Sequence, residues 1–107
     1  MSRRRDAFGA IADPTRRAIL ELLFEQTTMT AGEIADEFPD ISQPAVSKHL
    51  SVLRDAGLVA VRGDGRVRHY TLDPQPLEAI YVGWLSRFAP LWERSLANLK
   101  RQVEQNS

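Results

Sequence analysis

Apolar residues recur along this chain at two periods, a helical spacing of three and four over most of its length and a strand-like alternation over one short stretch. Phe8 and Ile11 mark a short first helix over residues 6–11. Asp13-Pro14 pairs an N-cap with a first-turn proline, and Ala18, Ile19, Leu22 and Leu23 give the second helix one apolar face as far as Glu25. Thr30 and Glu33 have capping-box spacing. They open a third, short helix with Ile34, Ala35 and Phe38 on its apolar side, ending before Pro39. Ser42 and Pro44 open a fourth, in which Val46, Leu50 and Leu53 form the inward stripe and Gly57 supplies the stop.

After Gly57 the period changes to two. In Leu58–Arg62, Val59 and Val61 alternate with Ala60 and Arg62; Asp64-Gly65 is a hairpin signal; and Val67, His69 and Thr71 alternate with Arg68, Tyr70 and Leu72 in the return strand. Asp73-Pro74 repeats the cap-plus-proline device and opens a final helix over 74–105. The predicted fold is therefore mainly α with a two-stranded β wing: four helices, two strands, one long helix, in a single winged helix-turn-helix domain spanning 1–107. Residues 1–5 form a flexible basic arm.

The fourth helix carries the candidate chemistry. Opposite its apolar stripe lie Pro44, Lys48 and Ser51, flanked by Gln43 and Ser47. A solvated helix more often carries Glu and Lys there, whereas small and basic side chains suit close approach to DNA. The chain's net charge is zero, against the usual basic balance of nucleic-acid binders. Its distribution changes the picture. Residues 42–70 hold Lys48, Arg54, Arg62, Arg66 and Arg68 against Asp55 and Asp64, while residues 18–41 hold six acids and no base. A solvated-face reading of both segments is the alternative.

The last helix carries Leu77, Ile80, Tyr81, Trp84, Leu85, Phe88, Leu91, Trp92, Leu96, Leu99 and Val103 at helical spacing, a stripe too wide for a small domain to cover alone. It reads as a dimerisation helix, paired with the first helix around Phe8 and Ile11; packing wholly within its own subunit is the competing reading. Pro90 lies inside this pattern and predicts a kink or interruption near Phe88.

The chain has 107 residues and no cysteine, enough for one core and excluding disulfides, thiolate metal sites and cysteine nucleophiles. No apolar run approaches the roughly 20 residues of a membrane span and no signal-peptide core is evident, so a cytoplasmic location is expected.

Four segments together resemble the ArsR-type winged helix-turn-helix repressors, in particular the SdpR-like branch without metal-site cysteines. They are Ala12-Asp-Pro-Thr-Arg-Arg-Ala-Ile-Leu20; Pro44-Ala-Val-Ser-Lys-His-Leu50 with Leu53; Ala56-Gly-Leu58; and Gly65-Arg-Val-Arg-His-Tyr-Thr-Leu72. The resemblance runs roughly from Asp6 to Val103. It implies a homodimeric transcriptional repressor, of its own or an adjacent promoter, that binds double-stranded DNA at an inverted-repeat operator and is released by a signal. By position, Gln43, Pro44, Ser47 and Lys48 match recognition-helix residues and Arg66 and Arg68 match the wing. Gln43 suits adenine, Lys48 guanine or phosphate, and Ser47 either. Ser42, His49, Arg54 and Arg62 complete the candidate DNA-binding set. The turn Pro39-Asp40-Ile41 is longer than the family's usual connection.

His49, at the edge of the apolar stripe, reads as a packed histidine or phosphate contact before a metal ligand. Glu33, Asp36 and Glu37 read as an exposed acidic face before a cation site. Many members of the family sense metals through thiolates near the third helix or His and carboxylate pairs on the last. This chain has no cysteine and no histidine in its last helix, so neither metal nor cofactor is expected. His69, Tyr70 and Asp73 lack a nucleophile or oxyanion site, so no enzyme is expected. Arg16 and Arg17 either touch DNA backbone or pair with an acidic neighbour, the second being favoured. The signal is open: a small molecule near Tyr81, Trp84 and Phe88, a protein effector, or the regulator's own abundance. A winged-helix module for protein–protein contact, without sequence-specific DNA binding, is the competing function.

Overall fold

The computed structural model describes residues 6–63 and 66–105. The predicted arm 1–5 and the Asp64-Gly65 turn lie outside the described residues. The helices are α1 (Ala7–Ile11), α2 (Pro14–Gln26), α3 (Ala31–Asp36), α4 (Gln43–Asp55), α5 (Gln75–Gly83) and α6 (Ala89–Gln105); the strands are β1 (Thr28–Thr30), β2 (Val59–Arg62) and β3 (His69–Leu72). The chain divides into two compact units, one up to Leu77 and one from Glu78.

Side-chain caps fix where the helices of the first unit begin. Asp6 accepts the Gly9 N–H at 2.7 Å, Asp13 the Arg16 N–H at 3.0 Å and Ser42 the Ala45 N–H at 3.2 Å. Thr30 and Glu33 close the reciprocal capping box. At the far end of α4, Gly57 adopts φ +77°, its N–H donates to the Arg54 carbonyl, and the Leu58 N–H reaches back to Leu53. That is a Schellman stop, and it turns the chain directly into β2. The first unit's core is formed by Ile19, Leu20 and Leu23 of α2, Ile34 of α3, Val46, Leu50, Val52 and Leu53 of α4, with Ala10, Met29, Leu58 and Val59.

The wing differs from its prediction. β3 is shorter than the expected Val67–Leu72 strand, and a third strand, β1, pairs with it, giving an antiparallel sheet in the order β1-β3-β2. Met29 and Val61 both face Tyr70, and Val59 faces Leu72, so these residues form the sheet's core-facing side. β1 is only three residues long and shares Thr30 with the cap of α3, too little for a period of two to show. Gly63, at φ +147°, leaves β2 where any added Cβ would run into the Val67 carbonyl, so glycine is required at this bend.

The predicted final helix is not continuous. α5 ends at Gly83, a 3-10 turn covers Leu85–Phe88, and α6 begins at Ala89. Pro90 sits in the first turn of α6, where its missing N–H leaves no hydrogen bond unmade. The interruption near Phe88 was expected from Pro90, but its start at Gly83 and Trp84 was not. Within the second unit the Trp84 and Phe88 rings meet edge to face at 5.2 Å.

Thr27 caps the C-terminus of α2 at φ +71°, ψ −57°, the one non-glycine positive φ among the described residues. A β-branched residue there carries roughly 1–3 kcal/mol of strain. Its side chain is exposed, so little packing is lost on truncation. Thr27→Gly is expected to raise stability by about 1 kcal/mol after glycine's entropy cost, read as a higher urea midpoint at unchanged slope. An unchanged or lower midpoint would show that the strain is not relieved.

Candidate nucleic-acid interface

α3, the connection through Ile41 and α4 form the helix-turn-helix. Val46, Leu50 and Leu53 point inward at 1%, 2% and 0% exposure, while Ser42, Gln43, Pro44, Ser47, Lys48 and Ser51 are exposed. The inward and outward faces of α4 are therefore those the spacing predicts. Arg54 is exposed in the last turn of α4, where its charge complements the carbonyl end of the helix. Arg62 ends β2, and Arg66 and Arg68 lie on the limb before β3; all three are exposed. Arg68 thus precedes the return strand instead of lying in it.

His49 is half-buried and tied to the second helix. The Arg16 guanidinium lies 3.4 Å from its Nδ1, and the Asp13 carboxylate 4.0 Å from the same atom. Arginine has only donors, so in this contact Nδ1 is the acceptor and the ring proton sits on Nε2. Asp13 is held below the ordinary carboxylate range chiefly by the hydrogen bond from the Arg16 backbone N–H, with burial opposing it less strongly and the Arg16 charge adding a smaller lowering. Glu33 is also lowered, chiefly by the Thr30 N–H that it caps.

Arg16 and Arg17 correct the expected acidic pairing. Arg16 donates through Nε to the Ala10 carbonyl at 2.7 Å and through Nη2 to Gly9 at 3.1 Å; Arg17 donates to Ile11 at 2.9 Å. Both donate to carbonyls at the C-terminal end of α1, and Arg16 also links α1 and α2 to α4 through His49. Donation to backbone carbonyls leaves no sequence signature, so this linkage was not legible beforehand.

Of the proposed dimerisation residues, Phe8, Tyr81, Trp84, Phe88, Leu91, Leu96 and Leu99 are more than two-fifths exposed. Leu85 and Trp92 are half-buried. Ile11 packs against the first unit's own core, so its apolar surface is already largely used. No residue of α6 is buried. Among the described residues no helix is long and apolar enough to cross a membrane, and no three His, Cys, Asp or Glu side chains gather as a metal site.

A family model described as a helix-turn-helix domain matches residues 11–62, from the end of α1 to the end of β2. The HTH-type transcriptional regulator Rv2034 of Mycobacterium tuberculosis is 43% identical, over 92% of this chain and 86% of its own length. A crystal structure of an ArsR family transcriptional regulator superposes with a TM-score of 0.68 at 38% identity, covering 80% of this chain and 86% of that one. This chain belongs to the ArsR family. The transcriptional repressor SdpR of Bacillus subtilis is 40% identical over 78% of this chain and 89% of its own. As an ArsR-family protein, this chain is a DNA-binding transcriptional regulator.

Proposed function

We propose that this ArsR-family regulator is a cytoplasmic, non-enzymatic homodimeric repressor of its own or an adjacent promoter, binding an inverted-repeat operator. The observation that carries the DNA reading is the division of α4: a stripe buried to 2% exposure or less behind a face of Gln43, Pro44, Ser47 and Lys48 with no acid on it. Such a face can enter a major groove, where Gln43 and Lys48 meet base edges, while Arg62, Arg66 and Arg68 approach the backbone. The exposed apolar row of α6 supports a second copy. Two copies would set their reading helices on half-sites about one helical turn apart.

The test is binding of the purified protein to a duplex of the sequence upstream of its own gene, across a salt series. Wild-type affinity is expected to fall steeply with salt as neutralised phosphates release counterions. Lys48→Ala and Arg68→Ala should each weaken binding by about tenfold with unchanged melting, since both side chains are exposed. Wild-type binding by both variants would show that α4 and the wing do not face the DNA.

A further inference from the structure

One ring nitrogen of α4 sits between a group that can only donate and a group that can only accept. His49 Nδ1 lies 3.4 Å from the Arg16 guanidinium and 4.0 Å from Asp13 Oδ2, on a side chain that is 22% exposed. Arginine has no acceptor and an ionised carboxylate no donor, so the proton on Nδ1 decides which of the two it can pair with. A bare Nδ1 takes the Arg16 hydrogen bond. A protonated one repels the guanidinium and turns to Asp13. That carboxyl is held below the ordinary carboxylate range, chiefly by the Arg16 backbone N–H, so it stays ionised in mild acid.

Neither partner is free to follow the ring. Arg16 Nε donates to the Ala10 carbonyl at 2.7 Å and Nη2 to Gly9 at 3.1 Å, which fixes the guanidinium on α1. Asp13 is the N-cap of α2, its Oδ2 taking the Arg16 N–H at 3.0 Å. To make a hydrogen bond with Asp13 the ring has to close that gap by about 1 Å, and the half-buried side chain passes part of the movement to α4. No other charge intervenes among the described residues. On α4 itself the positions three and four away are Ala45, Val46, Val52 and Leu53, and α1 carries no charged side chain. Arg17 of α2 donates to Ile11, and Glu33 and Asp36 of α3 and Arg62 of β2 make no hydrogen bond or ion pair with His49.

We propose that Arg16, His49 and Asp13 form a proton-responsive latch on α4. Neutral His49 hangs α4 on Arg16 in the position that selects the operator; its protonation draws the helix towards Asp13 and lowers that selectivity. The proton acts as a ligand that favours one of two arrangements, and imidazole is the side chain that takes it up between about pH 5 and 8. The latch rests on the DNA reading above, and its signal, mild acid, needs no ligand pocket. Added positive charge alone strengthens binding to every sequence, so the latch is read in the ratio between two sequences and not in affinity for either.

His49→Asn provides the test, because the amide oxygen still accepts from Arg16, takes up no proton, and has a helix propensity close to that of histidine. His69→Gln removes the chain's other histidine, which is exposed on β3. Binding of wild type and both variants to the upstream duplex and to a random-sequence duplex is measured at about pH 8 and pH 5.5 at one ionic strength. In the free wild-type protein, ring nitrogen NMR gives the His49 tautomer, and the Asp13 carboxyl carbon is followed as the ring is protonated. The preference for the upstream duplex is expected to fall about tenfold on acidification in wild type and in His69→Gln, and to stay constant in His49→Asn. The ring should carry its proton on Nε2 at pH 8, and the Asp13 signal should move together with the ring's protonation. A preference that is constant with pH in wild type, or that falls equally in His49→Asn, overturns the latch and leaves the DNA reading standing. So does a proton on Nδ1 at pH 8. Absence of any duplex binding by wild type at low salt would sink the DNA reading, and the exchange of partners would then be decided by the ring and carboxyl signals alone.

Discussion

If the proposed homodimer forms through α6, replacing Leu96 and Leu99 together by aspartate is expected to give a monomer that is still folded and to weaken operator binding by about a hundredfold or more. Both side chains are more than half exposed within their own chain, at 60% and 56%. The substitution therefore removes little packing within the chain, and surface changes of this kind usually cost little stability. Leu91 and Val103 continue the same exposed row, at 66% and 61%. An amphipathic helix with such a row and no buried residue has its apolar face turned to water unless a partner covers it. Aspartates at the centre of that contact would be desolvated without a partner, a larger penalty than lost burial alone. The DNA effect follows from geometry, because a monomer can engage one half-site and loses the high effective concentration of the second reading helix. Size-exclusion chromatography with light scattering gives the mass, and fluorescence anisotropy the affinity. Identical masses for wild type and variant would remove α6 from the dimer contact.

How much of this was legible in the chain depended on whether a residue's role was local. Asp13, Thr30 and Ser42 announce helix starts because a cap acts on N–H groups two or three residues away, within reach of sequence spacing. Gly57 marks a stop for the same reason. The inward phase of α4 followed from periodicity and holds residue by residue. Three features were not legible. β1 exists through its pairing with β3, more than 35 residues away, and Thr-Met-Thr carries no alternation of its own. The break at Gly83 and Trp84 is hidden because the apolar spacing runs through Trp84, Leu85 and Phe88 without a gap. Arg16 looks like any surface base in the sequence, yet its three guanidinium contacts tie α1, α2 and α4 together. The exposed surface divides along the same line: the outward face of α4 is local to one helix, whereas a cleft lined by Thr30, Gly32, Arg66 and Arg68 needs the sheet register to bring residues 30–32 to residues 66–70.

The opposite faces of α4 should respond oppositely to the same truncation. Leu53→Ala is expected to cost about 2–5 kcal/mol, because Leu53 is fully buried and the lost isopropyl group leaves a cavity that the core cannot fully close. A domain of this size has only about 5–15 kcal/mol of stability, so the urea midpoint should drop by at least about a seventh at little change in slope. The Leu53 carbonyl still accepts the Leu58 N–H in the alanine variant, so the Schellman stop survives and the loss reports packing alone. Kept well below its unfolding midpoint, Leu53→Ala should bind DNA close to wild type once corrected for folded fraction, because the outward residues remain in place. Lys48→Ala, five residues away, should show the reverse: unchanged midpoint and weakened binding. Equal stability losses at the two positions would mean that Lys48 is held by contacts within its own chain and that the exposed face of α4 is not waiting for a partner. A loss below about 1 kcal/mol at Leu53 would contradict its burial and, with it, the orientation of the reading helix.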